Sequence, residues 1–127
     1  MKINFFGCFL VVLCMSASAL AGGNAEKGKK IYETRCLKCH GPGGAGDGPS
    51  ADLLATKPAS FAEGKMFTDK EGVDMTPDER IAKVIKLGGE VAKKSKLMQG
   101  FPEMTDPEVQ DVIAYIKKFA AKAKPSK

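Results

Sequence analysis

The reactive side chains of this 127-residue chain are concentrated in one short stretch, Cys36-Leu37-Lys38-Cys39-His40. The chain contains four cysteines and a single histidine, and that histidine is the last residue of the stretch. One imidazole excludes any site that needs two histidines from the same chain. On one helical turn, two thiols three residues apart can both bond to a single planar group, and the imidazole that follows can approach its centre. C-x-x-C-H is the attachment signature of c-type haem.

Three other chemistries use paired cysteines, and the surrounding sequence argues against each of them. A structural zinc site needs four ligands, usually from two such pairs, whereas the chain after residue 21 offers Cys36, Cys39 and His40 only. A thioredoxin-like pair lies beside a βαβ pattern, and no strand pattern flanks this motif. A plain disulfide is common in exported proteins, but it leaves His40 without a role. We therefore expect one covalent haem c, bonded to both cysteines, with His40 as an iron ligand.

The first 21 residues have the layout of a cleaved secretory signal peptide. An apolar run over residues 5–15 is followed by small residues ending at Ala21, which fits the A-x-A cleavage rule. The run is shorter than the roughly 18–20 residues that span a bilayer; an anchor that stays uncleaved is the alternative. We predict a signal peptide at 1–21 and one domain at 22–127, located in the periplasm with no integral membrane segment in the mature chain.

The hydrophobic pattern of the mature chain predicts helices and no strands. Asn24, Thr76 and Thr105 are good helix caps, and the last two are each followed by Pro and Glu in a capping-box arrangement. The predicted helices cover residues 25–36, 77–87 and 107–120. Gly28 and Tyr32 share one face of the first helix, which indicates close approach of another helix; a glycine on a solvent face is the alternative.

The segment over residues 41–75 shows no clear periodicity. It begins with glycine- and proline-rich turn sequence, and a short helical turn is expected near residues 50–55. More than about thirty residues without regular structure are unusual inside a compact domain. The segment is therefore either disordered or wrapped around something other than protein, and a large apolar ligand would also enlarge a small core.

From about residue 22 to residue 119 the chain resembles the monohaem class I c-type cytochromes. The matching features are the first helix with Gly28 and Tyr32, CLKCH at 36–40, GDGPS ending near Pro49, a methionine before the last helix, and TDPEVQDVIAYI at 105–116. The resemblance implies a small all-α class I cytochrome c-like fold wrapped around one covalently bound haem. It also implies that Gly28 and Tyr32 pack against Tyr115.

The second axial ligand cannot be a histidine, so a methionine thioether is expected on the other face of the iron. The resemblance places this ligand on the loop before the last helix and favours Met98, although Gln99 departs from the family's usual Met-Pro. Met104 is the alternative; it occupies a position where the family has an apolar packing residue. Met66, Met75 and an open iron position are the remaining alternatives.

The resemblance also gives His40 a hydrogen-bond partner. In the family a proline carbonyl accepts the imidazole Nδ1–H, which fixes the tautomer and raises the basicity of the ligand. Pro49 matches that position better than Pro42, which lies too close to His40. A simple turn proline is the alternative.

These features predict a periplasmic, soluble one-electron carrier that is not an enzyme. A haem enzyme, or a gas or peroxide sensor with an open distal site, is the alternative function, and a disulfide-linked structural module is a third. We expect a monomer with protein redox donors and acceptors, and no nucleic acid partner. Lys93, Lys94 and Lys96 precede Met98 and would lie near the haem edge, where they favour partners with acidic docking surfaces; a merely solvated loop is the alternative.

Overall fold

The computed structural model describes residues 22–68, 74–93 and 95–123, so the predicted signal peptide lies outside the described residues. The α-helices are α1 (Ala25–Arg35), α2 (Leu37–His40), α3 (Lys65–Thr68), α4 (Pro77–Leu87) and α5 (Asp106–Ala123). Short 3₁₀ helices cover Ala51–Leu53 and Gly89–Ala92. No strand occurs in the described residues, and the predicted all-α fold is confirmed.

The three long helices begin at the caps that the sequence predicts. Asn24 accepts backbone N–H groups from the first turn of α1 at 3.0 and 3.1 Å. Thr76 and Glu79 form a reciprocal capping box at the start of α4. Thr105 and Glu108 make the same two contacts at the start of α5. These bonds satisfy N–H groups that have no partner within the helix.

Two helices differ from the sequence expectation by more than one residue. α5 continues to Ala123, three residues beyond the predicted end. α3 lies within the stretch that the sequence predicts to be irregular, because a single turn is too short to show helical periodicity. The predicted short turn near residues 50–55 is present as the 3₁₀ helix Ala51–Leu53.

α1 and α5 cross in direct backbone contact. A Cβ atom added to Gly28 would overlap the backbone carbonyl of Asp111 in α5. Next to this crossing, Tyr32 is 1% exposed and its ring meets that of Tyr115 edge-on, at 5.3 Å between centroids. The predicted contact between Tyr32 and Tyr115 and the close approach of another helix to Gly28 are confirmed, although the backbone nearest Gly28 is that of Asp111.

The core lies along α5, which packs against α1 and α4. Its most deeply buried side chains are Tyr32, Val109, Val112, Ile113 and Ile116. Ile81 and Ile85 contribute from α4, and Lys117 of α5 pairs with Asp78 of α4 at 2.5 Å. This three-helix arrangement holds α2 and the glycine-rich segment at one end of α1.

Candidate functional site

The C-x-x-C-H motif forms the single turn of α2. Cys36 lies at the junction of α1 and α2, and its carbonyl accepts the N–H of His40 at 2.9 Å. Cys36 and Cys39 are both partly buried and are not joined in a disulfide. Burial raises the pKa of Cys36 to about 11, so this thiol is neutral. The turn therefore offers two separate thiols and one imidazole on a single short element.

The glycine-rich segment folds back over α2 and binds its exposed carbonyls. The N–H groups of Gly46, Gly48 and Ser50 donate to the carbonyls of His40, Cys39 and Lys38, at 2.9, 3.1 and 2.9 Å. A four-residue helix cannot satisfy these carbonyls itself, so the segment supplies the missing partners. The sequence left disorder open for this segment; residues 41–50 have instead a defined conformation set by the motif.

His40 is buried and held on two sides. His40 is 8% exposed, and its Nδ1 lies 3.0 Å from the carbonyl oxygen of Ala59. Its ring stacks on that of Phe61, with centroids 4.5 Å apart and planes 22° apart. Burial lowers the pKa of His40, against a smaller opposing effect of the Ala59 hydrogen bond. The neutral tautomer with its proton on Nδ1 keeps the Nε2 lone pair for a metal.

The hydrogen bond that the sequence assigned to the Pro49 carbonyl is made by Ala59 instead. Pro49 is exposed, in the turn that Gly48 anchors to α2. The chain approaches the imidazole only later, where the N–H of Phe61 donates to the carbonyl of Gly44 at 2.6 Å. The Pro49 prediction is therefore corrected. The only sequence signal that could have suggested Ala59 is its position directly after Pro58. A loop without periodicity does not show which carbonyl reaches a given ring.

Tyr32 is the second contact that sequence reasoning missed. Its hydroxyl donates a hydrogen bond of 2.6 Å to the carbonyl of Gly41, the residue after His40. Burial raises the pKa of this phenol, so it remains a hydrogen-bond donor. The helical pattern predicted where the ring packs, but nothing in it predicted a partner for the hydroxyl.

Met98 and Met104, which precede α5 in the sequence, lie in different environments. Met98 is partly buried on the loop after α4, where its carbonyl accepts the N–H of Gly89 at 2.9 Å. The loop is fixed again at Phe101, whose N–H donates to the carbonyl of Ile85 at 2.9 Å. Met104 is 6% exposed and belongs to the core cluster. This burial supports the packing role that the resemblance gives Met104.

The donor set fits a covalently attached haem. Two unbridged thiols on one turn can form two thioethers, and a buried neutral imidazole beside them can bind iron through Nε2. In the part of the chain that the structure describes, no three His, Cys, Asp or Glu side chains group into a site for a metal ion. None of the described helices is long and apolar enough to cross a membrane.

Comparison with known proteins gives a consistent result. Residues 25–120 match the family model described as Cytochrome c. The chain is 31% identical over 135 aligned positions to cytochrome c2 of Rhodospirillum rubrum, covering 92% of this chain and 98% of that relative. It is 27% identical over 104 positions to cytochrome c of Gibberella zeae, covering 77% of this chain and 96% of that relative.

Proposed function

Since this chain belongs to the cytochrome c family, we propose that it is a periplasmic carrier of single electrons with one haem c ligated by His40 and Met98. Electron transfer on a covalently bound haem c is what the family does. Beyond this family property, we propose the number of haems, the ligand pair and the cellular compartment. The observation that carries it is the buried His40, whose Nδ1 is occupied by Ala59 and whose turn also carries two unbridged thiols.

In this proposal each residue of the motif has one task. Cys36 and Cys39 form thioether bonds that fix the position of the ring, and His40 Nε2 binds the iron. The Ala59 carbonyl accepts the Nδ1–H, with 3.0 Å between Nδ1 and the carbonyl oxygen, which orients the imidazole and raises its basicity. Phe61 stacks on the imidazole and limits its rotation. When bound, the haem supplies the one-electron Fe(III)/Fe(II) couple.

Met98 is the proposed second ligand because its environment differs from that of Met104. The Met104 side chain is buried in the core cluster, whereas Met98 lies on a partly buried loop whose backbone is hydrogen-bonded at Met98 and at Phe101. A loop held in this way can present a thioether with little loss of conformational entropy on binding. A thioether ligand raises the reduction potential relative to a second imidazole.

The proposed docking surface surrounds this loop. Leu87, Val91 and Leu97 are 57%, 43% and 52% exposed. Lys93 is also exposed, while Lys96 pairs with Glu90 at 3.1 Å; Lys94 lies outside the described residues. The surface therefore combines apolar side chains with a partly compensated positive charge. We propose that protein donors and acceptors with apolar, weakly acidic surfaces dock here in small, transient interfaces.

The remaining parts of the proposal come from the sequence. We propose that the chain is cleaved after Ala21 and is a soluble monomer in the periplasm. N-terminal sequencing of the exported protein tests the cleavage site. The chain has one histidine, so a His-ligated haem has no second imidazole to serve as a distal acid–base group. We therefore propose a carrier that is not an enzyme. In the proposed periplasmic compartment we expect no nucleic acid partner.

The experiment that tests the ligand pair is visible spectroscopy of two matched variants, Met98→Leu and Met104→Leu. Both substitutions conserve volume, which usually costs less than about 1.5 kcal/mol. We expect the oxidised wild type and Met104→Leu to show a sulfur-to-iron charge-transfer band, and Met98→Leu to lack it. A band that survives in Met98→Leu contradicts the assignment. Rapid binding of CO or turnover of peroxide by the wild type would favour the open-site alternative.

A further inference from the structure

Tyr32 contacts the haem-binding motif at both of its ends. Its backbone carbonyl accepts the N–H of Cys36, the first residue of the motif, at 2.8 Å. Its hydroxyl donates to the carbonyl of Gly41, directly after the last residue of the motif, at 2.6 Å. The first contact is ordinary helix backbone bonding, available to any side chain at this position. The second requires the phenol, because Phe, which could fill the same space, has no donor.

The side-chain bond acts on the Gly41 carbonyl, next to backbone groups that are already bonded: the N–H of Gly41 donates to the carbonyl of Leu37 and the carbonyl of His40 accepts from Gly46, both at 2.9 Å. Gly41 has a positive φ of 79°, a conformation that glycine adopts without steric cost. Its carbonyl also accepts a longer bond of 3.2 Å from the N–H of Gly44. The Tyr32 bond is the shorter of the two and is buried, so it is the stronger restraint on this peptide unit.

The Tyr32 ring is rigidly placed, so the restraint is transmitted to His40. Tyr115 and Phe119 of α5 each lie 5.3 Å from the Tyr32 ring, and Phe61 lies 6.3 Å from it. Phe61 is also the residue that stacks on His40. The same tyrosine therefore fixes the carbonyl of Gly41, the residue after His40, through its hydroxyl, and its ring packs against Phe61, which stacks on His40.

We propose that Tyr32 is a positioning residue that sets the orientation of the His40 imidazole toward the haem iron. This inference rests on the proposed ligation of iron by His40. Without the hydroxyl, the Gly41 carbonyl keeps only the longer Gly44 bond, and the end of the motif opens more often. The imidazole plane then samples a wider range of angles about the Nε2–iron bond, although the helices and the core remain in place.

The test compares Tyr32→Phe with Tyr115→Phe in the holoprotein. These are the chain's only two tyrosines, both belong to the same aromatic cluster, and each substitution removes one hydroxyl. No hydrogen bond from the Tyr115 hydroxyl reaches another described residue, so Tyr115→Phe is the matched control. Two readouts are needed: amide hydrogen exchange at Gly44 and Gly46, and the paramagnetic NMR shifts of the axial imidazole and the haem methyl groups.

We expect Tyr32→Phe to accelerate exchange at Gly44 and Gly46 by about fivefold or more, which is the effect of losing roughly 1 kcal/mol of hydrogen bonding. We also expect its haem methyl shifts to be redistributed, because their spread reports the angle of the imidazole plane. Tyr115→Phe should change neither. Equal effects of the two variants, or unchanged methyl shifts in Tyr32→Phe, would overturn the proposal and leave Tyr32 a packing residue. A wild type without histidine-ligated haem signals would instead refute the proposed function itself.

Discussion

The crossing of α1 and α5 gives a prediction in which two effects of a single methyl group have opposite signs. Gly28→Ala replaces a poor helix former with the best one, which alone would stabilise α1 by about 1 kcal/mol. The new Cβ would, however, overlap the backbone carbonyl of Asp111. Backbone cannot swing aside as a flexible side chain can, so the helices must separate and the core residues between them must repack.

Overpacking of this kind typically costs about 1–3 kcal/mol, and contact with backbone places Gly28 at the upper end of that range. After subtraction of the propensity gain, we expect a net destabilisation of about 2 kcal/mol, or roughly 8 °C in Tm for a domain of this size. Thermal and guanidinium unfolding of the holoprotein measure it. Gly43→Ala is the control, because a Cβ at Gly43 would meet nothing within 4 Å.

The sign of the Gly28→Ala effect is decisive. A variant as stable as the wild type, or more stable, would mean that helix propensity outweighs the contact, and the close crossing of α1 and α5 would be refuted. A loss in Gly43→Ala as large as that in Gly28→Ala would point to a general effect of replacing glycine rather than to this interface.

Other variants test the caps, the ion pairs, the attachment and the docking surface. The pKa values of Glu79 and Glu108 are lowered by the N–H and hydroxyl groups of their capping threonines, so the caps stabilise the fold above the ordinary carboxyl pKa and lose this effect as pH falls through the lowered value. Glu79→Gln should therefore lower Tm at neutral pH and change it little in acid; a loss of the same size at both pH values would contradict the capping role. Asp78→Asn, which breaks an exposed pair with Lys117, should change the free energy of unfolding by less than about 1 kcal/mol, and a larger loss in denaturant titrations would disprove this. Cys39→Ser should retain haem through one thioether and shift the reduced absorption bands to longer wavelength, because one vinyl group stays conjugated; an unshifted spectrum would exclude Cys39 as an attachment point. Electron transfer to a protein acceptor should slow only modestly with salt, as measured by stopped-flow kinetics, because one basic side chain of the docking surface is already paired; a steep salt dependence would mean that charge dominates docking.

The helices were predictable because their signals are local. Thr76 and Thr105 each have a glutamate three residues later, and the capping boxes that this spacing predicts are present. The packing of Gly28 on the last helix was also predictable, since a glycine within a helix needs a reason to be there. The C-x-x-C-H motif was recognisable because its signal is also local: the two thiols and the imidazole all lie within one helical turn.

The supports of His40 were not predictable, because they come from residues far along the chain. Ala59 reaches the imidazole only because Gly46 packs closely against Pro58 and Phe61 bonds to Gly44. The family resemblance suggested Pro49, because its position after the motif matches that of the family's hydrogen-bonding proline. In a segment without periodicity, the path of the loop is set by tertiary hydrogen bonds, and the spacing of its residues does not reveal it.

Mass spectrometry of the proteolytic peptide that contains residues 36–40 tests the central claim most directly, using protein matured in a host that attaches haem. We expect a peptide carrying one haem through Cys36 and Cys39, with no free thiol left to alkylate. A peptide with two alkylated thiols, or with a disulfide between the two cysteines, would contradict the account.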